Sequence, residues 1–162
     1  MRALATVGVY GFDEASFLAA LQDADVALLL DVRQRRGVRG HEYAWANSLR
    51  LQSALSRAGV AYEHHPELAP TTELRRLQYR EDDRVGVGKR SRVELSKEYR
   101  TRYTSEILDR VDLEALIARM PEGGTSALLC VERDPRACHR SLIADRMAEH
   151  FGLTALHLVP PA

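Results

Sequence analysis

The residues best suited to chemistry fall in one string: Cys130-Val-Glu132-Arg-Asp134-Pro135-Arg-Ala-Cys138-His139-Arg140. A thiol, an imidazole and a guanidinium in succession offer a nucleophile, a proton carrier and an anion ligand. Asp134-Pro135 reads as a helix start, a cap followed by proline at the first position, which puts Cys138, His139 and Arg140 in the first turns. A helix N-terminus attracts anions and lowers the pKa of a thiol. Two features weigh against a simple Cys–His dyad. Adjacent helical residues point about 100° apart and do not face one atom squarely. His139 also stands four residues before Ile143 and eight before Met147, so it equally fits the core, with Cys138 as a small apolar residue.

Other candidates follow other apolar runs. Asp31 and Arg33 lie two apart and point the same way on a strand. They fit either a pocket mouth or a structural salt bridge. Arg33, Arg35, Arg36 and Arg39 form a loop without an acid, with Tyr43 and Trp45 just behind it. Such a loop can hold phosphates and stack a base, or it can be a solvated basic face. Glu67 follows His64 and His65, and Gly8 and Gly11 follow the first apolar run. Asp31 and Glu67 are the acid–base candidates, and Cys138 and His139 the nucleophile or proton-transfer pair. Gly8, Gly11, Arg33, Arg35, Arg36, Glu132, Asp134 and Arg140 are the binding candidates.

Spacing counts against several specific chemistries. Cys130, Cys138 and His139, with His64 or His65, number four ligands. Zinc ligands ordinarily come in close pairs, and this spacing matches no such pattern, so no metal is assigned. Gly86-Val-Gly88-Lys89-Arg90 lacks the first glycine and the hydroxyl residue of a phosphate-binding loop. Cys130 and Arg136 have the spacing of a cysteine phosphatase, but Glu132, Asp134 and Pro135 between them would repel a phosphate. No cofactor motif is present.

The elements that must position these residues are legible as alternating strands and helices. Residues 3–9, 26–32, 60–64, 126–132 and 154–159 read as strands. Helices are expected after Asp13, over 44–58, around Tyr99, Tyr103 and Ile107, over 112–120, and from Asp134 to Gly152. The pattern predicts one α/β domain over residues 1–162, three layers thick, with a mostly parallel sheet of about five strands and helices on both faces. Ligands then bind beyond the carboxyl ends of the strands, where the polar candidates concentrate. From Thr71 to Lys97 the sequence is irregular and charged, which predicts a mobile insertion or lid. Between Thr71 and Thr104, ten basic residues face six acidic ones.

Composition bounds the rest. The 162 residues suit one domain, and 45% hydrophobic with 28% charged residues excludes disorder, collagen and coiled coil. Equal counts of 23 basic and 23 acidic residues disfavour a uniformly basic nucleic-acid binder. Two cysteines are too few for a disulfide framework. The start carries no signal-peptide pattern, and no run suits a membrane span, so a cytoplasmic protein without a membrane partner is expected. Oligomeric state is not legible.

The strings Thr6-Val7-Gly8, Asp31-Val-Arg33, Pro66-Glu67-Leu68 and Cys130 to Asp145, with Tyr99, Tyr103 and Leu156-His157-Leu158, together resemble the prokaryotic domain-of-unknown-function family 488. That family usually reads glycine-histidine-serine after its first strand, whereas this chain has Gly8-Val9-Tyr10. The resemblance implies an α/β fold and a strand-end pocket but no reaction. A weaker likeness to rhodanese sulfurtransferases rests on Asp31-Val-Arg33, Gly40-His41 and Arg140-Ser141. Three functions are therefore expected in turn. The first is an enzyme acting on a phosphorylated ligand, a nucleotide or nucleic-acid end. The second is a non-catalytic nucleotide or nucleic-acid binding module. The third is a sulfurtransferase using Cys138, which requires that thiol to be exposed and of low pKa.

Overall fold

The computed structural model describes residues 2–88 and 90–162. Five of the apolar runs become strands β1 (Ala3–Val7), β2 (Val26–Asp31), β3 (Ala61–His64), β4 (Thr125–Leu129) and β5 (Ala155–Leu158). They form one sheet in the order β3-β2-β4-β1-β5, with every neighbouring pair parallel. All five residues of β4 are buried, and so are five of the six in β2. A strand buried on both faces needs helices above and below it. These are α1 (Glu14–Asp23), α2 (Ser48–Arg57), α3 (Thr72–Val85), α4 (Lys97–Glu106), α5 (Leu113–Arg119) and α6 (His139–Phe151). The result is a single three-layer α/β domain. None of the described helices is long and apolar enough to cross a membrane.

The strand order places the site. The chain crosses the sheet one way from β1 through β2 to β3, and the opposite way from β3 through β4 to β5. Right-handed crossovers therefore send α1 and α2 to one face and the later helices to the other. The packing of α3 on α4, and of α4 on α6, agrees with this. The loop leaving β4 turns to one face while those leaving its neighbours β1 and β2 turn to the other, which opens a crevice at the carboxyl end of β4.

Local signals explain most boundaries. Asp13, Thr71, Ser96 and Asp112 each accept a hydrogen bond from a backbone N–H in the first turn of the following helix. Two expectations are corrected. The segment expected to be irregular from Thr71 is helical to Val85, because Leu74, Gln78 and Asp82 recur at four-residue spacing and bury one face. Asp134-Pro135 opens only a 3-10 turn, Pro135–Ala137, and Cys138 is extended (φ −136°, ψ 147°). The helix therefore begins at His139, with Cys138 as its N-cap.

Candidate functional site

A cavity of about 450 Å³ opens at the carboxyl ends of β1, β2 and β4. Cys130, Glu132, Cys138 and His139 form its deep part, and Arg35, Arg39 and Arg75 lie on its walls and rim with Tyr10, Tyr79 and Tyr99. Strand register sets the depth. Asp31 and Val7 both stand level with Leu129, so Val32, Gly8 and Cys130 come next on adjacent strands. Gly8 is required there. A Cβ on it would lie 1.9 Å from the Glu132 carbonyl oxygen and 3.1 Å from Arg140.

The extended Cys138 removes the objection to a Cys–His pair. It lies outside the helix, and both thiols turn toward one imidazole nitrogen. His139 Nδ1 is 3.6 Å from Cys130 Sγ and 3.7 Å from Cys138 Sγ. The other ring nitrogen, Nε2, is 2.7 Å from the Val32 carbonyl, which can only accept, so Nε2 carries a proton. Cys138 is 1% exposed, so the thiol is enclosed. Burial pushes the Cys138 thiol up. The hydrogen bond with Cys130, the His139 charge and the Arg140 guanidinium outweigh it and hold the thiol well below the ordinary range. Cys130 goes the other way, raised by burial and by its neighbour Cys138. Among the described residues, Cys130, Cys138 and His139 are the one group whose donor atoms converge as metal ligands do, all within 4.8 Å of one another.

The carboxylate next to this group is Glu132. Its Oε2 lies 3.5 Å from Cys130 Sγ, and its Oε1 accepts from Arg92 at 2.9 Å. Arg92 is buried, and it also donates to Asp82 (2.6 Å) and to the Ala137 carbonyl (2.9 Å). Gln78 donates to Asp82 and accepts from the Ser96 amide. Arg92 thus ties α3 to the loop after β4. Nothing in the local pattern around Arg92 marked it, although Gln78 and Asp82 on the apolar stripe of α3 were a readable signal.

The remaining candidates separate by depth. Asp31 is wholly buried beneath the cavity, where its carboxylate accepts from Arg33 Nε (2.9 Å), Arg33 NH2 (2.8 Å) and the Tyr62 hydroxyl (2.5 Å). Arg33 is 1% exposed and donates onward to the Ala46 carbonyl, so it is a strut with one edge on the cavity. Arg140 is also a strut, clamping the carbonyls of Glu132 (2.7 Å) and Arg133 (3.3 Å). Arg36 reaches the Tyr62 hydroxyl, Asp134 caps its turn through the Arg136 amide, and the Gly11 amide donates to the Tyr43 hydroxyl. None of these three lines the cavity. Glu67 lies elsewhere, in a shallow depression with His65, Arg110 and Arg119. Asp31 and Glu67 therefore do not meet Cys138, and the carboxylate beside the thiols is Glu132, 3.5 Å from Cys130 Sγ.

A parallel α/β domain with a thiol- and imidazole-floored pocket at the point where its crossovers reverse is the class that these observations define. The family model described as "Domain of unknown function DUF488" matches residues 14–147, and the chain belongs to that family. The match begins after β1, so Gly8 and Gly11 lie outside it. No curated protein and no solved structure matches the chain.

Proposed function

We propose that the protein is a small enzyme that binds a phosphorylated ligand, a nucleotide or nucleic-acid end, and acts on it at the floor of the cavity. One observation carries this reading: exposed Arg35 and Arg39 at the rim and the Cys130–Cys138–His139 group at the floor belong to one cavity. Rim guanidiniums bind phosphate oxygens, the tyrosines on the walls stack a base, and the floor reaches the group that reacts. Helix α3 and Arg92 form one wall of that cavity. Binding without catalysis is the second reading, favoured by the removal of Asp31 and Glu67 from the floor. The sulfurtransferase reading is third: it needs an exposed thiol of low pKa, and Cys138 is lowered but enclosed.

Calorimetric titration with ADP tests the proposal. The R35A/R39A double variant should weaken ADP binding about tenfold, because two charge-assisted contacts at an exposed rim are lost. The C138S variant should bind ADP as the wild type does and release no phosphate or nucleoside from it. Unchanged affinity in the double variant overturns the pocket. Equal product release by C138S overturns the floor's role, and no release by either protein favours the binding module.

A further inference from the structure

The convergence of two thiols on one imidazole nitrogen is more specific than a reactive cysteine requires. We propose that Cys130, Cys138 and His139 form a binding site for a thiophilic divalent transition metal of the zinc type, with its remaining coordination position open to the cavity. The inference goes beyond the ligand-binding reading and does not need it, because the metal alone is the probe.

Three observations carry it. The first is distance. In a tetrahedral centre with metal–sulfur bonds of about 2.3 Å and a metal–nitrogen bond of about 2.0–2.1 Å, each sulfur–nitrogen edge is about 3.5 Å. The two edges here are 3.6 and 3.7 Å. The second is orientation. A metal-ligating histidine ordinarily donates its other ring N–H to a carboxylate or a backbone carbonyl, which fixes the ring and turns the free lone pair to the metal. The 2.7 Å bond from Nε2 to the Val32 carbonyl does this, and Nδ1 is left facing both sulfurs. The third is access. All three donors are buried, yet all three line the cavity. Three protein ligands with a free direction toward a pocket is the arrangement of a catalytic rather than a purely structural zinc.

The chain geometry explains why no spacing rule finds this site. Cys138 and His139 are adjacent, and in a continuous helix they would diverge. With Cys138 extended and His139 the first helical residue, they converge instead. Cys130 reaches them from the strand next to Val32. Each cysteine binds as a thiolate, and any thiol proton still present passes to the buffer as the metal enters. Glu132 stands beside Cys130 and accepts a hydrogen bond from Arg92. That placement suits a base for a metal-bound water, which is how a metal centre would serve the reaction proposed above.

The test uses the full chain, reduced and stripped with a chelator. Cobalt(II) alone should add in a one-to-one ratio, with the thiolate-to-cobalt charge-transfer band and the intense visible bands of tetrahedral coordination. Zinc(II) should displace it, measured by competition with a chromophoric chelator. C130S, C138S and H139N should each lower zinc affinity by at least about 100-fold, since even loss of an outer hydrogen-bond partner costs 10–100-fold. Circular dichroism follows the fold of each variant. A readout without variants guards against their misfolding: zinc should slow alkylation of both cysteines in the wild type, and a chelator should restore it. Absence of the charge-transfer band, alkylation indifferent to zinc, or wild-type affinity in a folded C138S variant would each overturn the site. Failure of ADP binding leaves this result untouched, and the reverse also holds.

Discussion

His65 at the end of β3 and His139 beyond the end of β4 each sit near a carboxylate and a strand end, and they meet different fates. His65 is held between Glu67 (2.6 Å) and Glu63 (2.8 Å), and Glu63 also binds the exposed Arg119. Its neighbours are carboxylates, solvent and a shallow depression. His139 is buried, with a carbonyl on one nitrogen and two thiols on the other. Position in the sheet accounts for the contrast. β3 is an edge strand, so the residues after it reach the surface. β4 is central, so the residues after it are enclosed by the loops leaving β1 and β2. Similar residue types thus become an ion-pair cluster in one place and a candidate reaction centre in the other.

If that contrast is right, stability should respond very differently at the two ends. Asp31→Ala leaves the Arg33 guanidinium buried without its carboxylate and should destabilise by about 3–5 kcal/mol, read from the urea midpoint. A loss below about 1 kcal/mol would mean that water reaches the floor of the crevice. Gly8→Ala places a methyl group against the Glu132 carbonyl. The forced backbone shift should cost about 1–3 kcal/mol and should also weaken zinc binding, because the loop from Glu132 to His139 must move. A stable G8A variant with unaltered zinc affinity would break the link between the β1 turn and the floor.

At the β3 end the effects should be small and should depend on pH. Arg119 holds the Glu63 carboxyl below its ordinary value of 4.5, and His65 adds to this. A depressed carboxylate contributes stability above its unfolded pKa and loses it as pH falls through the folded value. The Glu63–Arg119 contribution should thus be complete above about pH 4.5 and fade below it. At a pair this exposed, solvent screening keeps the contribution small. Arg119→Ala should remove that part of the acid slope and nothing at pH 7 beyond it, measured by thermal unfolding across pH 3–7. Smallest of all, Glu67→Gln should change stability by less than about 0.5 kcal/mol and leave ADP binding alone. A large effect of E67Q on ligand binding would return Glu67 to the site.

The sequence by itself determined the fold class and the end of the sheet where polar residues collect. Short continuous apolar runs at residues 26–32 and 126–132 read as doubly covered strands, and their alternation with helical stripes favours a parallel arrangement. It also pointed to Cys138, His139 and Glu132 as neighbours in the chain. Tertiary structure decided what those residues are for. Strand order set β4 between β1 and β2, which no local pattern records, and so separated Glu67 from Cys138 and enclosed Asp31 with Arg33 and Tyr62. Cys138 left the helix because Pro135–Ala137 closed a 3-10 turn first. That change of one residue's backbone turned a diverging pair into a converging one, because side-chain direction follows φ and ψ rather than spacing. Arg92 became the clamp across the cavity only when the chain after α3 returned to the loop beyond β4. Pairings of that kind join residues forty positions apart, and their energy comes from shared burial, which is a property of the folded whole.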